Sequence, residues 1–322
     1  MTTSLRPRTL VSAAAVIAAL VAPAAASAAS APTVATGAAS KVAQTTATVR
    51  GTVDPNDVET SYSFEYGPSK AYGAATPPVA VGKGTSPQAA VADLAGLAPF
   101  TTYNYRLVAT SGAGTSRGAN RSFKTLKQPL GLSLAATPNP VAFGAGTTLA
   151  GALTGTDNAN RQVLLEQNAF PFTAGFAAVG NAQVTNATGT FVFPILSLTT
   201  TTQYRAVVPG RPVASPIVTA TVVTIVRTNV SATRVRRGRS VVFSGSITPR
   251  RDGSRVVVQK LSKGRWLVVA GTFARRSTAT DRSRYAVRVK VPRGGSYRVL
   301  VATNTGDVVG SVGRTVKISS FR

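Results

Sequence analysis

Short runs rich in Val, Thr and Tyr recur along this 322-residue chain, separated by clusters of Gly, Pro, Asn and Asp. Examples are residues 46–53, 61–66, 103–109, 163–167, 190–193, 241–247, 255–259, 285–291 and 297–301. β-Branched and aromatic side chains suit a pleated, half-buried surface, and the turn formers between them reverse the chain. No long run beyond the N-terminal segment places apolar residues at the helical period. The pattern predicts an all-β protein of tandem antiparallel β-sandwiches, not βαβ units.

Arg6 and Arg8 precede an apolar stretch at residues 10–21, and Ala26-Ser27-Ala28 forms a small-x-small site. This is the layout of an export signal over residues 1–28, cleaved after Ala28. The stretch is broken at Pro23 and is shorter than the ~20 residues that a membrane span needs. The mature chain is therefore expected outside the cytoplasm, secreted or held at the cell surface by charge. It has no cysteine, so its domains must be stable on core packing without disulfides. Three domains are expected, at 32–126, 131–225 and 226–322.

The first of these carries Leu97-Ala98-Pro99-Phe100-Thr101-Thr102-Tyr103-Asn104-Tyr105-Arg106. This segment resembles the L-x-P-G-T-x-Y-x-Y-R motif of fibronectin type III modules on secreted bacterial proteins, with Phe100 in place of glycine. The resemblance covers nearly all of residues 32–126. It implies a two-sheet sandwich in which Tyr103 is the tyrosine-corner residue, its hydroxyl tying one strand to the preceding corner. The tryptophan that many members carry has its slot near Gly51. The loop at 111–120 lacks Arg-Gly-Asp, so integrin-type recognition has no support.

Residues 131–225 and 226–322 read as two copies of one unit. Val141-Ala142-Phe143-Gly144 aligns with Val235-Arg236-Arg237-Gly238, and Val163-Leu164-Leu165-Glu166 with Val256-Val257-Val258-Gln259. Phe176 aligns with Trp266, Phe191 with Tyr285, and Tyr204-Arg205 with Tyr297-Arg298. Both copies resemble the bacterial Ig-like repeats of secreted proteins. That group has no single activity, so the resemblance implies architecture only.

Catalytic chemistry is scarce. The chain has no histidine, which removes Ser-His-Asp and Cys-His arrangements and most zinc chemistry. Its ten acids are scattered, and the one cluster, Asp54, Asp57, Glu59 and Glu65, surrounds a turn at Pro55. An enzyme is not expected, and neither is a cofactor or a metal.

Charge is the remaining signal. Of 36 Lys and Arg residues, 22 lie between Arg227 and Arg322, against three acids, Asp252, Asp281 and Asp307. Residues 131–225 carry only Arg161, Arg205 and Arg211 against Asp157 and Glu166. Strands are expected in the last domain at 227–233, 240–247, 254–260, 266–273, 284–291, 297–303 and 308–318. Up-and-down alternation then gathers Arg234, Arg236, Arg237, Arg239, Lys263, Arg265 and Arg293 at one end. Arg250, Arg251, Arg275, Arg276, Arg282 and all three acids fall at the other. An acid-free basic end predicts an anionic polymer as partner: a teichoic or uronic polysaccharide, anionic lipid or extracellular DNA. No specific protein partner is legible. Trp266, beside Arg265, is expected to pack in the core. The alternative reading is an accessory carbohydrate-binding protein serving a separate polysaccharide hydrolase, with Tyr62, Tyr72 and Phe100 as its candidate exposed aromatics, although core or turn packing is the expectation for each.

Overall fold

The computed structural model describes residues 1–2, 29–303 and 305–322; the expected signal segment lies almost wholly outside them. The described residues form no helix, and their strands divide into two compact units, residues 1–126 and 127–322.

The first unit contains β1 (Thr33–Thr36), β2 (Ala47–Asp54), β3 (Thr60–Gly67), β4 (Ala74–Ala75), β5 (Val79–Gly82), β6 (Gln88–Leu94), β7 (Thr102–Ser111), β8 (Gly114–Arg117) and β9 (Arg121–Lys124). One sheet has the order β1-β2-β6; the other is built on β3 and β7, flanked by β4 and β5 on one side and β8 and β9 on the other. This is the sandwich that alternation predicts. Val49, Val53, Phe64, Ala90, Tyr105 and Leu107 fill the space between the sheets. At Gly51 a Cβ would meet the Leu107 side chain and the Ala35 carbonyl, each 2.7 Å away. The close approach of the first strand and Leu107 fills the slot where a tryptophan would otherwise sit.

The second unit contains β10 (Gly131–Leu132), β11 (Ala135–Thr137), β12 (Val141–Ala142), β13 (Thr147–Thr154), β14 (Gln162–Ala169), β15 (Ala177–Val184), β16 (Thr190–Ile195), β17 (Thr202–Val207), β18 (Val218–Ala220) and β19 (Val222–Val223). It continues through β20 (Ile225–Val230), β21 (Arg234–Arg236), β22 (Ser240–Thr248), β23 (Arg255–Ser262), β24 (Arg265–Phe273), β25 (Arg275–Arg276), β26 (Ser283–Lys290), β27 (Gly295–Ala302) and β28 (Val316–Phe321). Two sandwiches of the same design result. In each, the first strand is split. Its leading part pairs antiparallel with the second strand, as β11 with β13 and β20 with β22. Its trailing part crosses over to pair in parallel with the last strand, as β12 with β19 and β21 with β28.

The two sandwiches are not separate bodies. The last strand, expected at 308–318, begins only at Val316. Residues 307–309 leave their own sandwich and enter the middle one. Val308 is fully buried among Leu198, Ala220 and Val222. The Thr201 N–H donates to the Asp307 carbonyl at 2.6 Å, and Val309 exchanges backbone hydrogen bonds with Val222 and Thr224 at 2.8 and 2.9 Å. Val308-Val309 reads as part of a strand in isolation, but the Val308 side chain finds a deeper apolar site in the neighbouring core.

Candidate polyanion-binding surface

The turn between β21 and β22, the hairpin between β23 and β24 and the corner between β26 and β27 meet at one end of the last sandwich. The Gly238 N–H donates to Val291 at 2.8 Å, and Val291 donates back to Arg239 at 2.9 Å. Lys260 Nζ donates to the Arg293 carbonyl at 2.8 Å, bringing the hairpin to the corner. Arg237 donates its N–H to Phe321 at 2.8 Å, so the end of β28 lies here too. Lys263 and Gly264 form a two-residue turn with φ of +47° and +76°, the geometry that matches the twist of a hairpin.

Arg234, Arg236, Arg237, Arg239, Lys263, Arg265 and Arg293 are all exposed at this end. Arg234 and Arg236 point outward because the buried Val235 between them points in. Among the described residues, none of the seven takes part in an ion pair. The opposite end holds the acids, and each is matched. Arg250 meets Asp252 at 2.7 Å, Arg251 meets Asp307 at 2.5 Å, and Arg282 meets Asp281 at 2.9 Å. Hydrogen bonds from Ser283 and Arg250 hold the Asp252 carboxyl below the usual range, and one from Arg282 does the same for Asp281. Burial pushes Asp307 up, but the Thr305 hydroxyl, the Arg251 charge and the Val308 N–H outweigh it and leave a net downward shift.

The tertiary register adds basic residues that turn-counting missed. On β26, Arg284, Arg288 and Lys290 are exposed while Tyr285, Val287 and Val289 are buried. Lys290 lies opposite Ser240 at the basic end, so the positive surface continues from there down the outer face of the sheet. The signal was present as strict alternation in Ser-Arg-Tyr-Ala-Val-Arg-Val-Lys, a property of the strand and not of its turns.

Trp266 is not a core residue. It is half-buried on the outer face, with the Arg298 guanidinium 4.2 Å above its ring. Arg298 is held there by Gln259, whose side-chain oxygen accepts from Nε at 2.8 Å. The middle sandwich repeats the clamp with Arg205 over Phe176 at 4.5 Å and Glu166 at 2.6 Å. The first unit has it as well: Arg106 sits 4.6 Å over Tyr72 and 2.7 Å from Glu65. In each case a buried Tyr (Tyr105, Tyr204 or Tyr297) immediately precedes the arginine, turning the arginine to the outer face.

In the first unit the Tyr103 hydroxyl accepts from the Ala98 N–H at 2.9 Å, across the corner that precedes β7. The acids near Pro55 serve the turn and the sheet: Asp54 accepts from the Asn56 N–H at 3.1 Å, and Glu65 belongs to the clamp. Of the three aromatics proposed for sugar stacking, Tyr62 is a core residue, 7% exposed, placed inward by the alternation of β3. The Tyr72 ring carries Arg106, and Lys124 Nζ lies 3.5 Å from the centre of the Phe100 ring.

No family model matches the chain, and no curated protein matches it. Solved structures similar to it include the sensor domain of the anti-sigma factor RsgI4 of Pseudobacteroides cellulosolvens, at 21% identity. That match covers 30% of this chain and 96% of the other, with a TM-score of 0.25. Domains FN1–FN3 of chicken CNTN1 are 13% identical over 88% of this chain and 97% of theirs, with a TM-score of 0.27. The eight N-terminal Ig domains of the Down syndrome cell adhesion molecule are 13% identical over 82% of this chain and 32% of theirs, at 0.29. The fold assignment rests on the strand order and register above: an all-β chain of fibronectin type III- and Ig-like antiparallel sandwiches.

Proposed function

We propose that this chain is a non-catalytic, secreted bacterial protein of the cell surface or matrix. Its last sandwich holds an anionic polymer, and the preceding ones serve as spacer or adhesion modules. The observation that carries the reading is the convergence of Arg234, Arg236, Arg237, Arg239, Lys263, Arg265 and Arg293 on one exposed end. Arginine offers a planar fork to phosphate or carboxylate, and unpaired exposed charge speeds encounter with a polyanion. The basic face of β26 extends the same surface and suits a linear chain such as a teichoic or uronic polysaccharide.

The test is retention of the full mature chain on immobilised polyanion across a salt series. Binding is expected to fall steeply with salt, and on duplex DNA each lost phosphate contact should flatten the log-log slope by about 0.9. The variant R236A/R237A/K263A/R265A should elute at markedly lower salt. Retention that is indifferent both to salt and to these substitutions would refute the reading.

A further inference from the structure

A second basic site lies at the far end of the same sheet, away from the seven-residue cluster. Cross-strand register places Arg227 opposite Ser246, Ser246 opposite Arg284, and Arg284 opposite Arg275. One row across four strands thus carries three exposed arginines on one face and no acid. Like charges directly opposite one another on a sheet repel. The Arg275–Arg284 pair nevertheless has no ion-pair partner among the described residues, because the three nearby acids are taken by Arg250, Arg251 and Arg282.

The chain crosses from one sheet to the other between Phe273 and Arg275, anchored by the buried Ala274, and the crossing leaves a depression of about 310 Å³. Arg275, Arg284, Thr272, Ala286 and Phe273 line it, and Phe273 is 62% exposed. A second depression of about 410 Å³ shares Arg284 and adds Arg250, Arg276 and the hydroxyls of Ser277, Thr278 and Thr280. The volumes suit one or two sugar rings, within the usual range of ligand sites.

We propose that the Arg275–Arg284 depression binds a saccharide carrying a sulfate or phosphate ester. The ester oxygens sit between the two guanidinium groups and turn their repulsion into paired charge-assisted hydrogen bonds. The ring packs its apolar face on Phe273, and its hydroxyls meet the Ser and Thr side chains of the neighbouring depression. This site lies at the far limit of the basic face of β26, which supplies Arg284, and shares none of the seven residues of the basic end: it is concave, has an aromatic wall and recognises a single group, not a length of polymer.

The experiment is calorimetric titration of the full mature chain at low salt with a glucose sulfate ester, a glucose phosphate ester, inorganic sulfate and glucose. At least one ester should bind, and whichever binds tighter identifies the group. Each of R275Q and R284Q should weaken that binding about 10- to 100-fold, as expected for loss of a hydrogen bond to a charged group. F273A should weaken the sugar ester but not inorganic sulfate, and R236A/R237A/K263A/R265A should leave ester binding unchanged. Arg275 and Arg284 are exposed, so their replacement should not impair folding; unchanged melting curves check this. Failure of both esters to bind, equal binding of glucose, or indifference to R275Q and R284Q overturns the proposal. If ester binding disappears only in the four-residue variant, the ester belongs to the basic end: this site is then refuted and the polymer reading stands.

Discussion

The middle and last sandwiches share one design, yet their corresponding ends meet opposite fates. In the middle sandwich the end formed by residues 143–146, 170–176 and 196–201 is covered in part, at Phe170 and Thr201. The Asp307 carbonyl accepts from Thr201, Gly306 lies against Phe170, and Val308 enters the core. In the last sandwich the equivalent end is uncovered and carries seven cations in place of apolar and hydroxyl residues. The same turns thus serve as a docking seat in one copy and a charged surface in the other. The repeat therefore fixes the frame, while the residues placed on its turns decide what each end meets.

The largest expected effect lies at the covered end. Val308→Ala should cost about 2–3 kcal/mol, from lost burial and the cavity left behind, whereas R236A/R237A should change stability by no more than about 0.5 kcal/mol. Denaturant titration of both variants measures the contrast; equal losses would erase the distinction between seat and surface.

Acid should loosen the seat before it affects the basic end. The Asp307 carboxyl is depressed in the folded state, so its contribution is present above the unfolded value near pH 4 and is lost as pH falls through the lower folded value. Melting temperatures followed from pH 6 downward should drop through that window, and D307N should flatten that part of the profile.

The clamps differ in the ring beneath the arginine and in the side chain that holds it. Glu166 neutralises Arg205 in the middle sandwich, whereas Gln259 leaves Arg298 its full charge in the last. Gln259→Glu should therefore add about 0.3–1 kcal/mol, lessened by salt because the pair is partly exposed, and should also lower polyanion retention. A double-mutant cycle on each clamp compares the two couplings.

The smallest effect is expected at the hairpin. Lys263 occupies a left-handed position that Asn tolerates better, so Lys263→Asn should stabilise by about 0.5 kcal/mol while weakening polymer binding. Opposite signs in melting and retention would show that the lysine is kept at a small conformational cost.

Much of this was legible in the chain. Alternation of Val, Thr and Tyr foretold sandwiches because a strand's side chains alternate by simple geometry. Aligning Tyr204-Arg205 with Tyr297-Arg298 and Phe176 with Trp266 matched the members of both clamps as a repeat, but not their contact, because that depends on which strands lie side by side. The core placement expected for Trp266 failed: the residue lies on the outer face, where the Arg298 plane covers it. Tyr62 packs in the core as expected, placed inward by the parity of β3, and so offers no ring to a sugar.

By itself the sequence determined most of the strands, the alternation of their faces, the absence of disulfides and the surplus of positive charge in the last domain, all properties of local pattern and composition. Only the tertiary structure decided that residues 307–309 would serve a neighbouring core, and that Arg227, Arg284 and Arg275 would fall in one row. Each depends on register between segments tens of residues apart. A one-residue slip in that register would send every side chain to the other face.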